Sequence, residues 1–353
     1  MTITVLVGTA KGGFLLRSED RSTFTLEGPF FKGWKVTTST RLSSGRFLVA
    51  TASDVYGPAL HVSDDLSSFR QIESGPAWAK GGERKLNQIW KLLSVQRPGG
   101  ERIFAGVDEA GLFASDDCGE SWRSVEGLNE HATRSGWVPG AGGLCAHALL
   151  ADSENPERMW CGISAVGVFR TEDGGASWTA RNVGVTRVLE DKTHKDIGFC
   201  VHALQQDPHD PETIWRQDHR GMYRTTDGAD RWESIENGLP SGFGFPLALD
   251  KGTGRLFALP LQSDEYRLPV DGKLTVYTSS DRGDSWQPQT EGLPQEAAYA
   301  GVLRHALVAD SLDPCGVYMG TTSGTLHVSR DGGESWTMLP YLLPRILTVE
   351  VYS

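Results

Sequence analysis

A short motif built around one aspartate recurs seven times along this chain of 353 residues. Five copies follow or nearly follow the pattern S/T-x-D-x-G-x-S/T-W, and two shorter copies begin at Ser18 and Ser63. The repeated aspartates lie 45 to 56 residues apart and are Asp20, Asp65, Asp117, Asp173, Asp227, Asp281 and Asp331. A period of this size predicts a repeat architecture.

The residue types of the motif predict a tight turn that closes a β-hairpin. An aspartate at the start of a turn accepts hydrogen bonds from backbone N–H groups ahead of it. The following glycine supplies a positive φ at little steric cost, and the closing Trp or Phe packs into a buried sheet. We therefore assign these aspartates a structural role in preference to calcium binding or catalysis, and call the seven segments box turns.

The sequence around each box turn predicts four short strands. In the fourth repeat, strand-like segments cover residues 145–151, 158–163, 167–171 and 177–182, and turn residues separate them. The fifth repeat has the same organisation. Four strands per repeat are typical of a β-propeller blade.

The two ends of the chain predict how the ring closes. Residues 3–10 correspond to the second strand of a blade, whereas residues 345–353 form an unassigned strand after the seventh box turn. Pairing between these segments leaves no large exposed sheet edge. We predict an all-β fold, a single seven-bladed β-propeller domain over residues 1–353, closed by the C-terminal strand in the N-terminal blade.

Composition limits the partners and the compartment. The net charge of −11 argues against a nucleic-acid or anionic-membrane partner, and no apolar run reaches membrane-spanning length. The five cysteines form no C-x-x-C pair, and the N-terminus lacks the features of a signal peptide. We expect a cytoplasmic protein with reduced thiols.

Long loops predict where a ligand binds. Connections between blades and between second and third strands meet around the mouth of the central channel of a propeller. Four of them are long, and they cover residues 75–86, 128–144, 184–199 and 260–273. Functional residues concentrate in such loops, so we expect a partial lid over a funnel; tolerated surface insertions are the alternative.

Histidines recur where first strands begin. His147, His202 and His305 occupy this position in three repeats, and Trp90 occupies the matching position in another. Three imidazoles on one ring are candidate ligands of a divalent metal such as zinc or manganese. Alternatively, each ring bonds the backbone of a neighbouring blade or contacts a ligand. The sequence does not decide whether a metal is present.

Acidic residues follow the second strands. Glycoside hydrolysis requires two carboxyl groups on opposite sides of the scissile bond. The candidates are Asp108 or Glu109 on one side and Asp264 or Glu265 on the other. Three arginines expected near the mouth of the channel are candidate ligands of an anion, namely Arg220, Arg267 and Arg304.

The box turns, together with segments such as FCVHAL, QDHRGMYRTTDG and PLQSDEYRLPVDG, resemble a bacterial family of Asp-box, or BNR, repeat proteins. Members are labelled glycosyl hydrolase or sialidase-like and are broadly related to photosystem II assembly factors. The resemblance covers essentially the whole chain. It does not imply a typical sialidase, because the early Arg-Ile-Pro motif is absent; the nearest match is Arg345-Ile346-Leu347.

Two classes of function follow. The first is a glycosyl hydrolase-like hydrolase or lyase that acts on a carbohydrate or a small polar molecule in the funnel. Its candidate catalytic residues are Asp264, Glu265, Tyr266, His202 and His219, and its candidate ligand-binding residues are Trp90, Asp108, His147, Asp218, Arg304 and His305. Histidine would act as base or metal ligand, Tyr or a carboxylate as proton donor, and Arg as a carboxylate clamp. The second is a non-catalytic scaffold that binds a protein partner on one face.

Overall fold

The computed structural model describes residues 2–79, 81–189 and 193–352. Short helical turns occur at Glu126–Asn129, Arg134–Gly136 and Val270–Gly272. The strands, in chain order, are β1 (Ile3–Thr9), β2 (Gly12–Ser18), β3 (Thr25–Phe30), β4 (Lys35–Arg41), β5 (Phe47–Ser53), β6 (Gly57–Ser63), β7 (Arg70–Ile72), β8 (Ile89–Arg97), β9 (Gly100–Val107), β10 (Gly111–Ser115), β11 (Arg123–Ser124), β12 (Ala146–Ala151), β13 (Met159–Ile163), β14 (Gly167–Thr171), β15 (Thr179–Ala180), β16 (Val201–Gln206), β17 (Ile214–Asp218), β18 (Gly221–Thr225), β19 (Glu233–Ser234), β20 (Gly244–Leu249), β21 (Leu256–Pro260), β22 (Val276–Ser279), β23 (Gln287–Gln289), β24 (Leu307–Ala309), β25 (Val317–Gly320), β26 (Leu326–Ser329), β27 (Thr337–Met338) and β28 (Ile346–Tyr352).

These strands form seven sheets of four strands each. Blade 1 has the order β28, β1, β2, β3, and blades 2 to 7 each contain four consecutive strands, beginning at β4, β8, β12, β16, β20 and β24. The first strand of every blade contacts the first strands of both neighbouring blades, which gives a closed ring. The predicted seven-bladed β-propeller is confirmed.

The C-terminal strand closes the ring within blade 1. Strand β28 pairs antiparallel with β1, so that Val349 lies opposite Val7 and Val351 opposite Val5. Ile346 and Val349 are buried, and the backbone N–H of Val349 donates to the carbonyl of His305 near the first strand of blade 7. The predicted sharing of one blade by both ends of the chain is therefore confirmed.

The hydrophobic core lies between neighbouring blades. Trp160 on β13 packs against Val201, Ile214 and Trp232 of blade 5. Its indole N–H donates to the carbonyl of Gly228 at 3.0 Å, so the one polar group of this buried ring is hydrogen-bonded. Burial of one large apolar side chain stabilises the fold by about 1.5–3 kcal/mol, and this packing is repeated between successive blades.

Each box turn is held by hydrogen bonds within the turn. In blade 4, the Asp173 carboxylate accepts from the Thr171 hydroxyl at 2.7 Å and from the Ser177 N–H at 2.8 Å. The Gly175 N–H donates to the Thr171 hydroxyl at 3.0 Å, and the Trp178 indole donates to the Gly175 carbonyl. These contacts agree with the structural role predicted for the motif.

The box turns lie beside the turns that join first and second strands. The backbone N–H of Gly174 donates to the carbonyl of Glu157 at 2.8 Å, and Gly228 donates to Glu212 in the same way in the next blade. Because strands alternate in direction, the connections between blades and those between second and third strands lie on the opposite face. We call this second face the loop face.

Three of the four long loops line cavities on the loop face. They contribute residues 140–142, residues 188 and 189, and residues 264, 265, 267 and 268. In the loop over residues 75–86, Trp78 packs against Phe113 in the core, with ring centroids 4.9 Å apart. Positions 80 and 190–192 of the predicted lid lie outside the described residues. No helix among the described residues is long and apolar enough to cross a membrane.

Candidate functional site

Three adjoining cavities on the loop face form a funnel over the central channel. The first, second and third cavities have volumes of about 570, 450 and 290 Å³. The first and third share Phe245, Arg267 and Arg304. The first and second share Lys35, Gln88 and Trp90. The funnel therefore combines residues from several blades, as its position on the ring requires.

Two arginines lie at the junction of the first and third cavities. The guanidinium carbons of Arg304 and Arg267 are 4.9 and 5.6 Å from the ring centroid of Phe245. Within the described part of the chain, neither guanidinium has a carboxylate oxygen within 4.0 Å, and Nε of Arg304 has no hydrogen-bond partner. Burial lowers the pKa of Arg304, but arginine stays protonated in proteins. The pair has unused capacity for an anion.

The other charged residues of the first cavity are also basic. Lys35 Nζ pairs with Asp54 Oδ1 at 2.6 Å, and Arg345 is exposed at the wall. Among the described residues, none with a carboxylate side chain lines this cavity. A chain with a net charge of −11 thus has a locally basic recess.

Aromatic rings line the basic recess. Trp90, Phe245 and Tyr299 all contribute to the wall of the first cavity, and Tyr299 is 66% exposed. Tyr266, predicted to be catalytic, is 57% exposed but is not part of the wall of any of the three cavities. Tyr299, rather than Tyr266, is the tyrosine at the wall of the first cavity.

The third cavity groups three side chains that can transfer protons or bind a metal. Cys200, His202 and His219 each place one ligand atom within 4.8 Å of the others. Cys200 Sγ is 3.7 Å from His202 Nε2, and His219 Nε2 is 2.8 Å from Asp264 Oδ2. Of the predicted catalytic residues, the structure brings His202, His219, Asp264 and Glu265 to the wall of this cavity.

Contacts in this group shift the pKa values of its members. Hydrogen bonds with Cys200 and Asp264 raise the pKa of His219, although burial opposes the shift. The hydrogen bond from His219 lowers the pKa of Asp264. Burial disfavours the Cys200 thiolate, but contacts including the His219 hydrogen bond lower the pKa of the thiol overall. Asp264 and His219 thus favour each other's charged forms.

The three histidines of the first strands do not converge as a metal-ligand set. The N–H groups of His147 and His202 donate to the backbone carbonyls of Val201 and Gly244 in the next blade, at 3.0 and 2.6 Å. His305 donates to the carbonyl of His147 at 3.0 Å, and burial lowers the pKa of His305 to about 3. His147 and His202 thus bond the backbone of a neighbouring blade, as in the alternative interpretation, whereas His305 bonds the backbone of blade 4, which is not its neighbour in the ring. His202 alone belongs to a possible ligand cluster, in which Cys200 and His219 replace His147 and His305.

The predicted acidic residues separate into different environments. Asp218 is fully buried, and its Oδ2 accepts a hydrogen bond from Arg216 Nε at 2.7 Å; burial raises the pKa of this carboxyl. Asp108 lines the second cavity, where Oδ1 accepts from the N–H groups of Asn87 and Gln88. Asp264 and Glu265 line the third cavity. The proposed carboxylate pair is thus divided between two cavities, and Asp218 supports the fold around Arg216.

Sequence reasoning missed three residues of the funnel. Cys200 precedes His202 just as Cys145 precedes His147, so the sequence does not distinguish Cys200 as a residue of the funnel. Phe245 lies at the start of β20, and Tyr299 lies in a loop without a motif. Only the spatial neighbourhood of Arg304 and Arg267 identifies these aromatic residues.

Comparisons with known proteins support the fold. No family model matches the chain. A probable oligoxyloglucan-reducing end-specific xyloglucanase of Neosartorya fischeri is 23% identical over 253 residues, which are 66% of this chain and 23% of that protein. An oligoxyloglucan-reducing end-specific xyloglucanase of Emericella nidulans is 25% identical over 140 residues, 39% of this chain and 16% of that protein. The chain thus spans less than a quarter of the length of either relative.

Solved structures show the same architecture at low identity. An ancestral GH74 enzyme has a TM-score of 0.58 at 15% identity, over 86% of this chain and 38% of that chain. The β-propeller domain of Cps50 (Swd1) from Myceliophthora thermophila has a TM-score of 0.55 at 12% identity, over 88% of both chains. YCF48 from Cyanidioschyzon merolae has a TM-score of 0.51 at 14% identity, over 87% and 85%. The chain is a seven-bladed β-propeller similar in fold to all three.

Proposed function

We propose that this protein is a glycosyl hydrolase-like propeller that binds an acidic saccharide in the funnel of its loop face. The observation that carries the proposal is the arginine pair around Phe245, which has no carboxylate partner among the described residues. Uncompensated guanidinium groups in a recess favour an anion, and arginine binds carboxylates through two parallel hydrogen bonds. A sugar acid provides such a carboxylate.

The aromatic walls support a saccharide over a small inorganic anion. A sugar ring has apolar C–H faces as well as hydroxyl groups, so it packs against an aromatic face while its polar edge stays hydrogen-bonded. Trp90 and Tyr299 line the same cavity as Arg304. The xyloglucanase names of the curated relatives support the carbohydrate class, whereas the negative charge of the ligand is inferred from this chain alone.

The third cavity supplies groups for the chemical step. Arg267 and Arg304 line both the first and the third cavity, so a carboxylate held between them lies next to Asp264, Glu265 and His219. The Glu265 carboxylate has no hydrogen-bond partner among the described residues, whereas Asp264 is bound to His219. Glu265 is our candidate proton donor, and the His219–Asp264 pair stabilises positive charge at its side of the cavity.

The scaffold function is the second candidate. Val55, which lines the second cavity, and the adjacent Tyr56 are 81% and 78% exposed, and an exposed apolar patch can mark a protein contact. Arg304 is half-buried and Arg267 is exposed at the first cavity, and this arginine pair favours the saccharide proposal over the scaffold. All five cysteines are unpaired, which fits the cytoplasmic location expected from the sequence.

Binding of a charged and a neutral form of one saccharide tests the proposal. We expect calorimetry to show binding of an oligogalacturonate and much weaker binding of its methyl ester, which lacks the negative charge. Arg304→Gln is expected to weaken binding of the oligogalacturonate by about tenfold to a hundredfold, because a hydrogen bond to a charged group contributes about 1.5–3 kcal/mol. Arg231→Gln, an exposed arginine in the box turn of blade 5, is the matched control.

Two outcomes would contradict acidic-saccharide binding. These are equal binding of the acid and its ester, and unchanged affinity in Arg304→Gln. Reducing ends released from the bound saccharide indicate hydrolysis, and ultraviolet absorbance of an unsaturated uronate indicates a lyase. Saccharide binding without either product supports a binding function and removes the enzymatic part of the proposal.

A further inference from the structure

We propose that Cys200, His202 and His219 form a binding site for a zinc-type divalent cation at the wall of the third cavity. Their three ligand atoms lie within 4.8 Å of one another. One thiolate and two imidazoles are a typical ligand set for zinc, with bond lengths of about 2.3 Å to sulfur and 2.0–2.1 Å to nitrogen. The inference goes beyond the proposed function and does not depend on saccharide binding.

The distance between the sulfur and one imidazole fits a shared metal. A tetrahedral zinc ion with those bond lengths separates its sulfur and nitrogen ligands by roughly 3.5 Å. Cys200 Sγ and His202 Nε2 are 3.7 Å apart. Binding therefore needs little movement of these two side chains.

Hydrogen bonds to neighbouring groups occupy one nitrogen of each imidazole and leave the other nitrogen to bind a metal. His202 donates from Nδ1 to the carbonyl of Gly244 at 2.6 Å, so Nε2 is the unprotonated nitrogen facing Cys200. His219 donates from Nε2 to Asp264 Oδ2 at 2.8 Å, so in the neutral ring Nδ1 is the nitrogen left to bind a metal, which would displace the proton carried there by the charged form. Metal-binding histidines commonly donate their other N–H to a carbonyl or carboxylate in this way. Both histidines of the cluster have this arrangement.

Aromatic packing restricts both rings. The His202 centroid is 4.8 Å from that of Phe245, and the His219 centroid is 5.1 Å from that of Phe243. Cys200 and His202 are buried, and His219 is partly buried. Ligands that are already held in place lose little side-chain entropy when a metal binds.

The charges around the cluster suit a divalent cation. A Cys200 thiolate and the carboxylates of Asp264 and Glu265 provide three negative charges at this cavity, and Arg267 and Arg304 provide two positive charges. Three protein ligands leave a fourth position for water or substrate, as in catalytic zinc sites. Because all three residues line the third cavity, that position opens into the funnel.

Metal content and a spectroscopic probe test the site. The protein is purified with a histidine-free tag, and zinc is measured by mass spectrometry after incubation with zinc and removal of the excess. We expect one zinc per chain and, with cobalt in its place, the thiolate-to-cobalt absorption band that marks cysteine ligation. Cys200→Ala should remove the band and the zinc, and Asp264→Asn should weaken zinc binding about tenfold to a hundredfold.

Cys145 provides the matched control. It precedes His147 as Cys200 precedes His202, and it is buried at the wall of the second cavity. Cys145→Ala should keep the full zinc content. Arg304→Gln should also keep it, although the same variant is expected to weaken saccharide binding, so the two proposals are tested separately. Zinc below one-tenth of the chain concentration in the wild-type protein would overturn the proposal, as would equal zinc content in folded wild type and Cys200→Ala. Circular dichroism checks the fold of each variant.

Discussion

At the scale of single residues, the repeated aspartates use their carboxylates inside their own turns. Asp281 accepts hydrogen bonds from the Ser279 hydroxyl and from the Ser285 N–H, at 2.7 and 2.9 Å. Burial opposes ionisation, but these hydrogen bonds lower the pKa of the Asp281 carboxyl overall. A carboxylate occupied in this way has little capacity left for a ligand, which agrees with the structural role assigned to the motif.

We expect Asp281→Ala to lower the free energy of unfolding by about 1 kcal/mol, since it removes hydrogen bonds to a charged but exposed group. Denaturant unfolding at neutral pH measures this. Because the pKa of Asp281 is lower in the folded state, its stabilisation is full above the unfolded value of 3.8 and disappears as the pH falls through the folded value. The difference from wild type should therefore shrink below about pH 4.

Asp284 in the same turn is the control for this variant. Its carboxylate is 64% exposed and pairs only with Arg224, at 2.8 Å, among the described residues. Exposed ion pairs contribute about 0–1 kcal/mol, so Asp284→Ala should change stability less than Asp281→Ala. The reverse order would contradict the assigned role of the box turn.

At the scale of elements, the last strand is the one that completes the ring. Strand β28 supplies the first strand of blade 1 and contacts both β24 and β4. Without it, β1 has an unpaired edge and the buried Ile346 and Val349 are lost from the core. Exposed strand edges also favour association with other chains.

We expect a protein truncated after Arg345 to unfold at a much lower temperature than the full chain, because a whole ladder of strand pairing is lost. A peptide covering residues 345–353 should restore most of that stability, since an added strand pairs with a free sheet edge. Thermal unfolding with and without the peptide measures both effects. A peptide in which Val349 is replaced by Asp is the control; equal rescue by both peptides, or no loss on truncation, would contradict closure by β28.

The strands and turns were largely predictable from the sequence, whereas the residues that form the funnel largely were not, and the reason is physical. Turn chemistry is local, so the sequence of a box turn such as residues 171–178 specifies its hairpin and, by repetition, the blade count. The funnel depends on distant residues that meet only after closure. Cys200 and His219 belong to blade 5, whereas Asp264 and Arg267 belong to the loop of blade 6. His147 and His305 each donate to a backbone carbonyl that the sequence does not reveal: His147 to Val201 in the next blade, and His305 to His147 on a blade that is not its neighbour in the ring.

At the scale of the whole molecule, charge is distributed unevenly. The chain carries 45 acidic and 34 basic residues, yet the first cavity has Lys35, Arg267, Arg304 and Arg345 at its wall and no acidic residue among those described. The box-turn face instead pairs its charges across blades, as Arg158 does with Glu212. A basic recess in an acidic protein attracts an anion to one place on the surface.

A crystal structure with a bound oligogalacturonate tests the central claim most directly. The account predicts that the saccharide lies in the funnel, that one of its carboxylates is within hydrogen-bond distance of the guanidinium groups of Arg304 and Arg267, and that a sugar ring contacts Trp90 or Tyr299. A saccharide bound on the box-turn face, or one in the funnel whose carboxylates avoid both arginines, would contradict it.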